Sequence, residues 1–191
     1  GRVSCRFAPQ EIAEATMTDV VPKVPANRAE VEVLAKQGEG QTLEFKRSTG
    51  ELREAFRTVC AFLNGSGGIV LFGVRPDGRV EGQHVSDSTL RDIAQTADHL
   101  EPPAHVTIRR IAVDAGRKVI GVAVGGDKGV RPFTYDGRAF ERMASTTRRM
   151  PQAKYERMLV ERGHAKRRWE NLPAEGLTLK DLDRTEILRT R

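Results

Sequence analysis

The stretch from residue 59 to residue 82 (VCAFLNGSGGIVLFGVRPDGRVEG) most constrains the fold of this chain. Residues 64–68 (NGSGG) end an apolar helical pattern, since glycine accepts the positive φ that stops a helix. Residues 69–72 (IVLF) form an unbroken apolar run, which is typical of a strand buried on both faces. Pro76-Asp77-Gly78 has the chemistry of a turn. We therefore expect the rest of the chain to pack around this helix–strand–turn unit.

Capping residues and hydrophobic spacing predict the other elements. Asn27 caps a helix to about residue 36, and Ser48 or Thr49 caps the helix that ends near residue 63. A strand is predicted over 41–46, and a third helix begins at Ser86 or Asp87, with an apolar stripe at Leu90, Ile93, Ala94, Ala97 and Leu100. Two hairpins follow: one has strands 106–113 and 118–124, and the second has strands 132–135 and 139–142 about Asp136-Gly137. The last predicted element is a helix over 153–162.

This order of elements predicts an α/β (α+β) fold, a mixed β-sheet covered by helices. Proline and scattered charges predict a flexible N-terminal tail over 1–28, with a short helix at 10–17. Residues 29–163 then form the domain, and 164–191 form a basic linker and the start of a following region. The linker begins with a basic run at 164–168 (HAKRR), which would add salt-sensitive attraction to a polyanion or simply be a solvated helix end.

Composition indicates the partner and the compartment. The formal net charge is +6 and the isoelectric point is about 9.7, which favours polyanions and chiefly nucleic acid. Cys5 and Cys60 make no disulfide framework, which predicts a cytoplasmic protein. No apolar run approaches the roughly 20 residues that a membrane span needs. The chain has no Gly-rich phosphate loop ending in Lys-Ser or Lys-Thr, so we expect no ATPase activity from it and no cofactor.

Three residues near the first predicted strand are candidates for catalysis or metal binding. Glu44 and Lys46 are two apart on a strand and share a face, and Glu39 precedes them. Two acids and a lysine could hold a divalent cation and a phosphate, because hard cations prefer carboxylate oxygens. The alternative is a solvated strand face with an ion pair.

A basic set is the candidate nucleic-acid interface. Guanidinium groups, hydroxyls and backbone amides together are suited to phosphate oxygens. The alternative interpretation is a solvated surface. The members of the set are Lys46, Arg47, Arg53, Arg57, Arg142, Ser145, Thr146, Thr147, Arg148 and Arg149.

Taken together, EGQTLEFKRS (39–48) and AFLNGSGGIVLFGVRPDGRVEG (61–82) resemble the AlbA_2 domain, also called the Schlafen AlbA_2 or divergent AAA-4 domain. Arg131-Pro132 and the RMASTT segment at 142–147 resemble later parts of the same family, with Ala144 in place of its usual glycine. The resemblance covers about residues 31–162. Within the two stretches 39–48 and 61–82, the matching positions are Glu39, Glu44, Phe45, Lys46, Phe62, Asn64, Gly67, Gly68, Gly73, Val74, Asp77, Gly78 and Gly82.

The resemblance implies nucleic-acid binding, with DNA as the expected polymer, in the N-terminal part of transcriptional regulators and of proteins related to RecG-like ATP-dependent DNA helicases. A GHKL-like ATPase region and a winged helix usually follow in such proteins, and residues 169–187 resemble the start of that region. This chain would then be an N-terminal piece of a regulator. A homodimeric scaffold, in which the basic face is incidental, is a further alternative.

The resemblance also implies a second activity, because animal Schlafen proteins use this domain as a metal-dependent endoribonuclease. Their three acids correspond to Glu39, Glu44 and an acid just after Gly73-Val74. Here Arg75 occupies that place, so Asp77 would have to supply the third carboxylate for Mg²⁺ or Mn²⁺, with Lys46 on the scissile phosphate.

Overall fold

The computed structural model describes residues 21–168, in which a four-stranded sheet carries helices on both faces. A one-turn 3₁₀ helix (Thr49–Glu51) precedes the second α-helix. The helices are α1 (Arg28–Ala35), α2 (Leu52–Leu63), α3 (Asp87–Ala97) and α4 (Gln152–Arg168). The strands are β1 (Leu43–Lys46), β2 (Gly67–Phe72), β3 (Leu100–Glu101), β4 (Thr107–Asp114), β5 (Arg117–Gly125), β6 (Thr134–Tyr135), β7 (Phe140–Met143) and β8 (Thr146–Arg149).

The main sheet has the strand order β1-β2-β5-β4. β1 and β2 are parallel, with Leu43 opposite Ile69, and α2 makes the crossover that parallel strands need. β5 pairs antiparallel with both β2 and β4. Two small two-stranded pairs, β3 with β6 and β7 with β8, complete the strands of the described chain. The predicted mixed α/β fold is therefore confirmed.

Both faces of the sheet are covered, and the apolar core is divided between them. α2 packs on one face, where Phe56 and Phe62 are fully buried with Phe72 of β2. α1 covers the other face, where Val31 packs with Phe45 and with neighbouring strand residues. All six residues of β2 are buried, as its unbroken apolar run predicts.

Several boundaries differ from the predicted ones. Asn27 caps α1 as expected, because its side chain accepts a hydrogen bond from the Glu30 amide. β1 begins at Leu43 rather than residue 41. In the third helix the buried residue is Ile93, whereas Ala94 is exposed and Leu100 belongs to β3.

The two ends of the predicted domain also extend further than expected. Residues 21–26 were predicted to be tail, but Val24 is buried in the core beside Gly121 of β5. α4 continues to Arg168, so the first residues of the predicted basic linker are helical. The tail with Cys5 and the helix at 10–17, and the following region at 169–191, lie outside the described residues. No helix within residues 21–168 is long and apolar enough to cross a membrane.

The predicted second hairpin is wrong. The turn at Asp136-Gly137 does form, with φ of 49° and 69°, and Tyr135 pairs with Arg138 across it. The flanking strands nevertheless pair elsewhere, since β6 joins β3 and β7 joins β8. A local turn fixes only the residues next to it: β7 turns back on β8 at Ala144, whereas the pairing of β6 with β3 depends on contacts that are distant in sequence.

The buried side chain of Asn64 is one such contact. It follows α2, and its Oδ1 accepts a hydrogen bond of 2.7 Å from the Phe133 amide. Its Nδ2 donates to the carbonyl oxygens of Phe133 and Phe140 at 2.9 and 3.0 Å. A buried amide satisfied in this way fixes the chain on both sides of the Asp136-Gly137 turn against the end of α2.

We predict that Asn64→Ala lowers the free energy of unfolding by about 2 kcal/mol or more, because it leaves buried backbone groups without partners. Urea unfolding at neutral pH measures this loss. The control is Ser66→Ala, an exposed position two residues away. Equal stability of the two variants would contradict the structural role of Asn64.

Candidate nucleic-acid interface

A groove of about 380 Å³ lies between β1, α2 and the β7–β8 hairpin. We call it the basic groove, because five cationic side chains and two carboxylates line it. Its lining residues are Glu44, Lys46, Glu54, Arg57, Thr58, Phe140, Arg142, Ser145, Thr146, Thr147, Arg148 and Arg149. The structure thus brings the predicted acid–lysine strand and most of the predicted basic set to one place.

Glu44 lies at the floor of the groove and is only 6% exposed. Its Oε1 lies 2.9 Å from the Lys46 Nζ, and its Oε2 accepts a hydrogen bond from the Arg142 Nη2. Burial works against the charged form of Lys46, but the hydrogen bond and the charge of Glu44 outweigh it and raise the pKa of Lys46. Both oxygens of Glu44 are therefore committed to cations.

The side chain of Arg142 is buried rather than presented to a ligand, with 2% exposure. Its Nε donates to the Gly40 carbonyl at 3.0 Å, and its Nη2 also donates to the Leu43 carbonyl at 3.3 Å. Its guanidinium carbon lies 5.5 Å from the centre of the Phe62 ring. The predicted contact of Arg142 with nucleic acid is not supported by this burial, since the side chain instead attaches β7 to β1.

A pair of hydroxyls closes the inner wall of the groove. The Thr147 Oγ1 accepts a hydrogen bond from the Arg142 Nη1 at 2.8 Å and lies 2.8 Å from the Thr58 Oγ1. Sequence reasoning did not single out Thr58. The available signal was a threonine among the apolar residues of α2, next to Val59.

A second buried carboxylate, Glu141, organises the outer side of the hairpin. Its Oε1 accepts a hydrogen bond from the Arg148 Nε at 2.8 Å, and its Oε2 accepts one from the Lys154 Nζ of α4 at 2.6 Å. The Lys154 hydrogen bond, followed by that of Arg148, holds the pKa of Glu141 below its ordinary value. Sequence reasoning missed Glu141 because its burial depends on α4 packing beside the hairpin.

The remaining cations face solvent. Arg149 is exposed, and no hydrogen bond or ion pair within residues 21–168 engages its guanidinium group. Arg57 is half-buried and lies over the Phe140 ring, 6.0 Å from its centre. Arg53 and Arg47 are exposed but do not line the basic groove. The half-exposed Arg148, at 47%, keeps part of its surface accessible.

The turn of the β7–β8 hairpin explains the glycine that is usual at this place in the family. Ala144 has a φ of 52°, in the left-handed region that glycine adopts more easily than alanine. Ser145 and Thr146 follow it and are both exposed at the mouth of the groove. The turn therefore forms here with a residue that is less favourable than glycine at positive φ.

The three carboxylates predicted for a metal site do not come together. The Glu39 Oε1 accepts a hydrogen bond from the Phe45 amide at 3.0 Å. Asp77 is exposed on a turn whose Gly78 packs against the Ala35 carbonyl at the end of α1, and its Oδ1 binds the Arg79 amide. Within residues 21–168 no three His, Cys, Asp or Glu side chains are placed to hold a metal ion. With both oxygens of Glu44 bound to cations, these residues do not fit Mg²⁺ or Mn²⁺.

The fold and the groove together define a mixed α/β domain with a cationic cleft beside a parallel strand crossover. The sequence model of the family described as Schlafen, AlbA_2 matches residues 39–151, which is more than half of the chain. The chain belongs to this family, and the resemblance noted from its motifs is confirmed.

The solved structures that are similar to this chain include two bacterial proteins. One is the DIP2311 protein from Corynebacterium diphtheriae, with 17% identity and a TM-score of 0.45 over 62% of this chain and 23% of that chain. The other is the N-terminal domain of a Nitrosomonas europaea protein that is named as related to the ATP-dependent DNA helicase RecG. It has 22% identity and a TM-score of 0.48 over 67% of this chain and 95% of that chain. The chain thus matches less than a quarter of the corynebacterial protein.

We predict that the domain loses stability in acid as Glu141 is protonated and its stabilising charge is lost. Because the pKa of Glu141 is lowered on folding, its stabilisation is fully present above the ordinary value near 4.5 and is lost as the pH falls through the lower folded value. Glu141→Gln should cost on the order of 1–2 kcal/mol at neutral pH, where hydrogen bonds to the charged group are lost. Urea unfolding between neutral pH and pH values below 4.5 measures both effects.

The control for this prediction is Glu161→Gln, the same change at an exposed position of α4. The difference in stability between Glu141→Gln and the unsubstituted protein should narrow at low pH, whereas the control should follow the unsubstituted protein throughout. If the difference in the free energy of unfolding between Glu141→Gln and the unsubstituted protein stays constant with pH, the charge of Glu141 does not stabilise the fold.

Proposed function

We propose that this domain binds nucleic acid by gripping the phosphate backbone in the basic groove. The observation that carries the proposal is the meeting of cations from three separate elements in one groove: Lys46 of β1, Arg57 of α2, and Arg148 and Arg149 of β8. Cations and hydroxyls that are distant in sequence but share one concave surface are suited to phosphate oxygens.

The chemistry of the groove favours backbone contact over base reading. Its accessible polar groups include one carboxylate, that of Glu54. The others are guanidinium and ammonium donors with the hydroxyls of Ser145 and Thr146. Such groups neutralise phosphates and fix the position of a strand, but they carry little sequence information. We therefore expect affinity that falls steeply with salt, because each neutralised phosphate releases a counterion.

DNA is the first polymer to test, because the family resemblance points to transcriptional regulators and helicase-related proteins. The proposed role is that of a DNA-binding domain within such a larger protein, acting in the cytoplasm. Contacts are assigned to Lys46, Arg57, Ser145, Thr146, Arg148 and Arg149, with Arg47 and Arg53 as flanking cations. Arg142 and Thr147 hold the groove wall in this proposal.

We predict that Arg149→Ala weakens binding of a labelled DNA duplex and lowers the slope of log affinity against log salt by about one. Arg149 is the informative choice because its removal breaks no hydrogen bond or ion pair among residues 21–168, so the fold should be unaffected. Fluorescence anisotropy over a salt series measures the slope. The matched control is Arg109→Ala, an exposed arginine of β4 at the opposite edge of the sheet.

Identical slopes for Arg149→Ala and Arg109→Ala would rule out the basic groove as the interface. A parallel series with single-stranded RNA decides which polymer is preferred. If the protein binds neither polymer and light scattering gives the mass of a dimer, the scaffold alternative is favoured instead.

The metal-dependent endoribonuclease is the alternative function, and one observation supports it: Glu44 and Lys46 lie together in the groove that would hold a phosphate. Because Glu39 and Asp77 are placed elsewhere, we expect no cleavage of tRNA in the presence of Mn²⁺. The check is gel analysis of tRNA that has been incubated with Mn²⁺ and either the unsubstituted protein or the Glu44→Gln variant. Cleavage that the substitution abolishes, with the fold intact by circular dichroism, would favour the nuclease.

A further inference from the structure

A second depression, of about 230 Å³, lies beside the basic groove. Its lining residues are Arg53, Arg57, Tyr135, Asp136, Arg138 and Phe140. Arg57 and Phe140 line both the second depression and the basic groove. The two concave surfaces are therefore neighbours, and the Arg57 side chain with the Phe140 ring forms the ridge that they share.

Three guanidinium groups reach the second depression, against a single carboxylate. Arg53 and Arg57 are one helical turn apart on α2, which places them on the same side of the helix. Arg138 is exposed and follows the Asp136-Gly137 turn. Within residues 21–168 no ion pair or hydrogen bond engages the guanidinium groups of Arg53 and Arg138.

The single carboxylate offsets only part of this charge. The Asp136 Oδ1 lies 2.7 Å from the Nδ1 of His99, which is not part of the lining. Tyr135 is 4% exposed and forms a fixed floor. Burial and the charge of Asp136 raise the pKa of Tyr135, whereas the charges of Arg53 and Arg57 act in the opposite direction, consistent with all three charged groups lying near the ring. The second depression is a preformed, net positive surface.

We propose that the second depression binds the next phosphate of the same nucleic-acid strand that occupies the basic groove. The strand crosses the ridge at Arg57 and Phe140, where Arg57 contacts both phosphates. The partner is thus a continuous strand with at least two successive phosphodiesters, and Arg138 is a contact residue. This inference rests on the proposed function, because it extends the groove that carries it.

The arrangement favours one strand over two independent anions. Arg57 is shared, so a phosphate on either side draws on the same guanidinium group, whose five donors can serve two neighbouring oxyanions. The spacing along α2 agrees with this, since residues four apart lie about 6 Å apart along the helix axis. That distance is comparable to the separation of neighbouring phosphates in one strand.

The test is the salt dependence of binding to one labelled oligonucleotide, measured for Arg138→Ala, Arg149→Ala and the double variant. We expect each single substitution to reduce the slope by about 0.9 on a duplex, or about 0.7 on a single strand, and the double variant to lose the sum. Arg109→Ala again serves as the control. Arg138→Gln repeats the test with a neutral side chain that is longer than that of alanine. Thermal melting verifies that each variant is folded.

Each outcome decides the inference. If Arg149→Ala lowers the slope while Arg138→Ala and Arg138→Gln behave like the control, the second depression is not on the path and the proposed function stands without it. If Arg149→Ala also behaves like the control, the basic groove is not the interface, and the inference fails together with the proposed function. Additive losses support one strand that spans both surfaces.

Discussion

The buried ion pair between Arg142 and Glu44 is the interaction on which the groove depends. Taking two charges out of water costs several kcal/mol per ion, and attraction offsets this only when the remaining donors are also satisfied. Arg142 meets that condition through the carbonyl oxygens of Gly40 and Leu43 and the hydroxyl of Thr147. Removing either charge would cost up to about 3–5 kcal/mol, because Glu44 would keep only Lys46 and Arg142 would keep only neutral acceptors. The hairpin of β7 and β8 is therefore fixed against β1 by charge as well as by apolar packing.

The buried carboxylates also determine which cations remain available to a ligand. Glu44 and Glu141 each contact two cations, so each leaves an excess of positive charge. The cation on the inner side, Arg142, is buried, whereas Lys46 and Arg148 keep part of their surface in the groove. An oriented cation loses less side-chain entropy when it binds a phosphate than a freely rotating one does. These two buried acids thus orient the cations at the groove, whereas Glu54 is an exposed acid of its lining.

Local patterns predicted most of the main sheet but only part of the site. The apolar run of β2, the amphipathic spacing of α2 and the caps at Asn27 and Ser86 are all local signals, and the structure agrees with them. The β7–β8 hairpin gave no such signal, because its turn has Ala144 at positive φ instead of a glycine. The roles of Arg142 and Glu141 depend on burial by distant elements, and a single strand segment looks the same whether its charges are solvated or paired. Sequence therefore identified the five cations of the groove, together with Arg47 and Arg53, which do not line it, but not that Arg142 is buried.

The Glu-x-Lys pair at the end of β1 illustrates why the same motif need not perform the same chemistry. A metal site needs carboxylate oxygens that are free and convergent, since a divalent cation must replace its water with them. Here the third acid of the pattern is replaced by Arg75, which pairs with Glu81, and Asp77 is on a turn beside α1. With Arg142 and Lys46 already on Glu44, a metal ion would have to displace two cations from one carboxylate. The same geometry orients Lys46 on Glu44 at the floor of an open groove, where five cationic side chains outnumber two carboxylates.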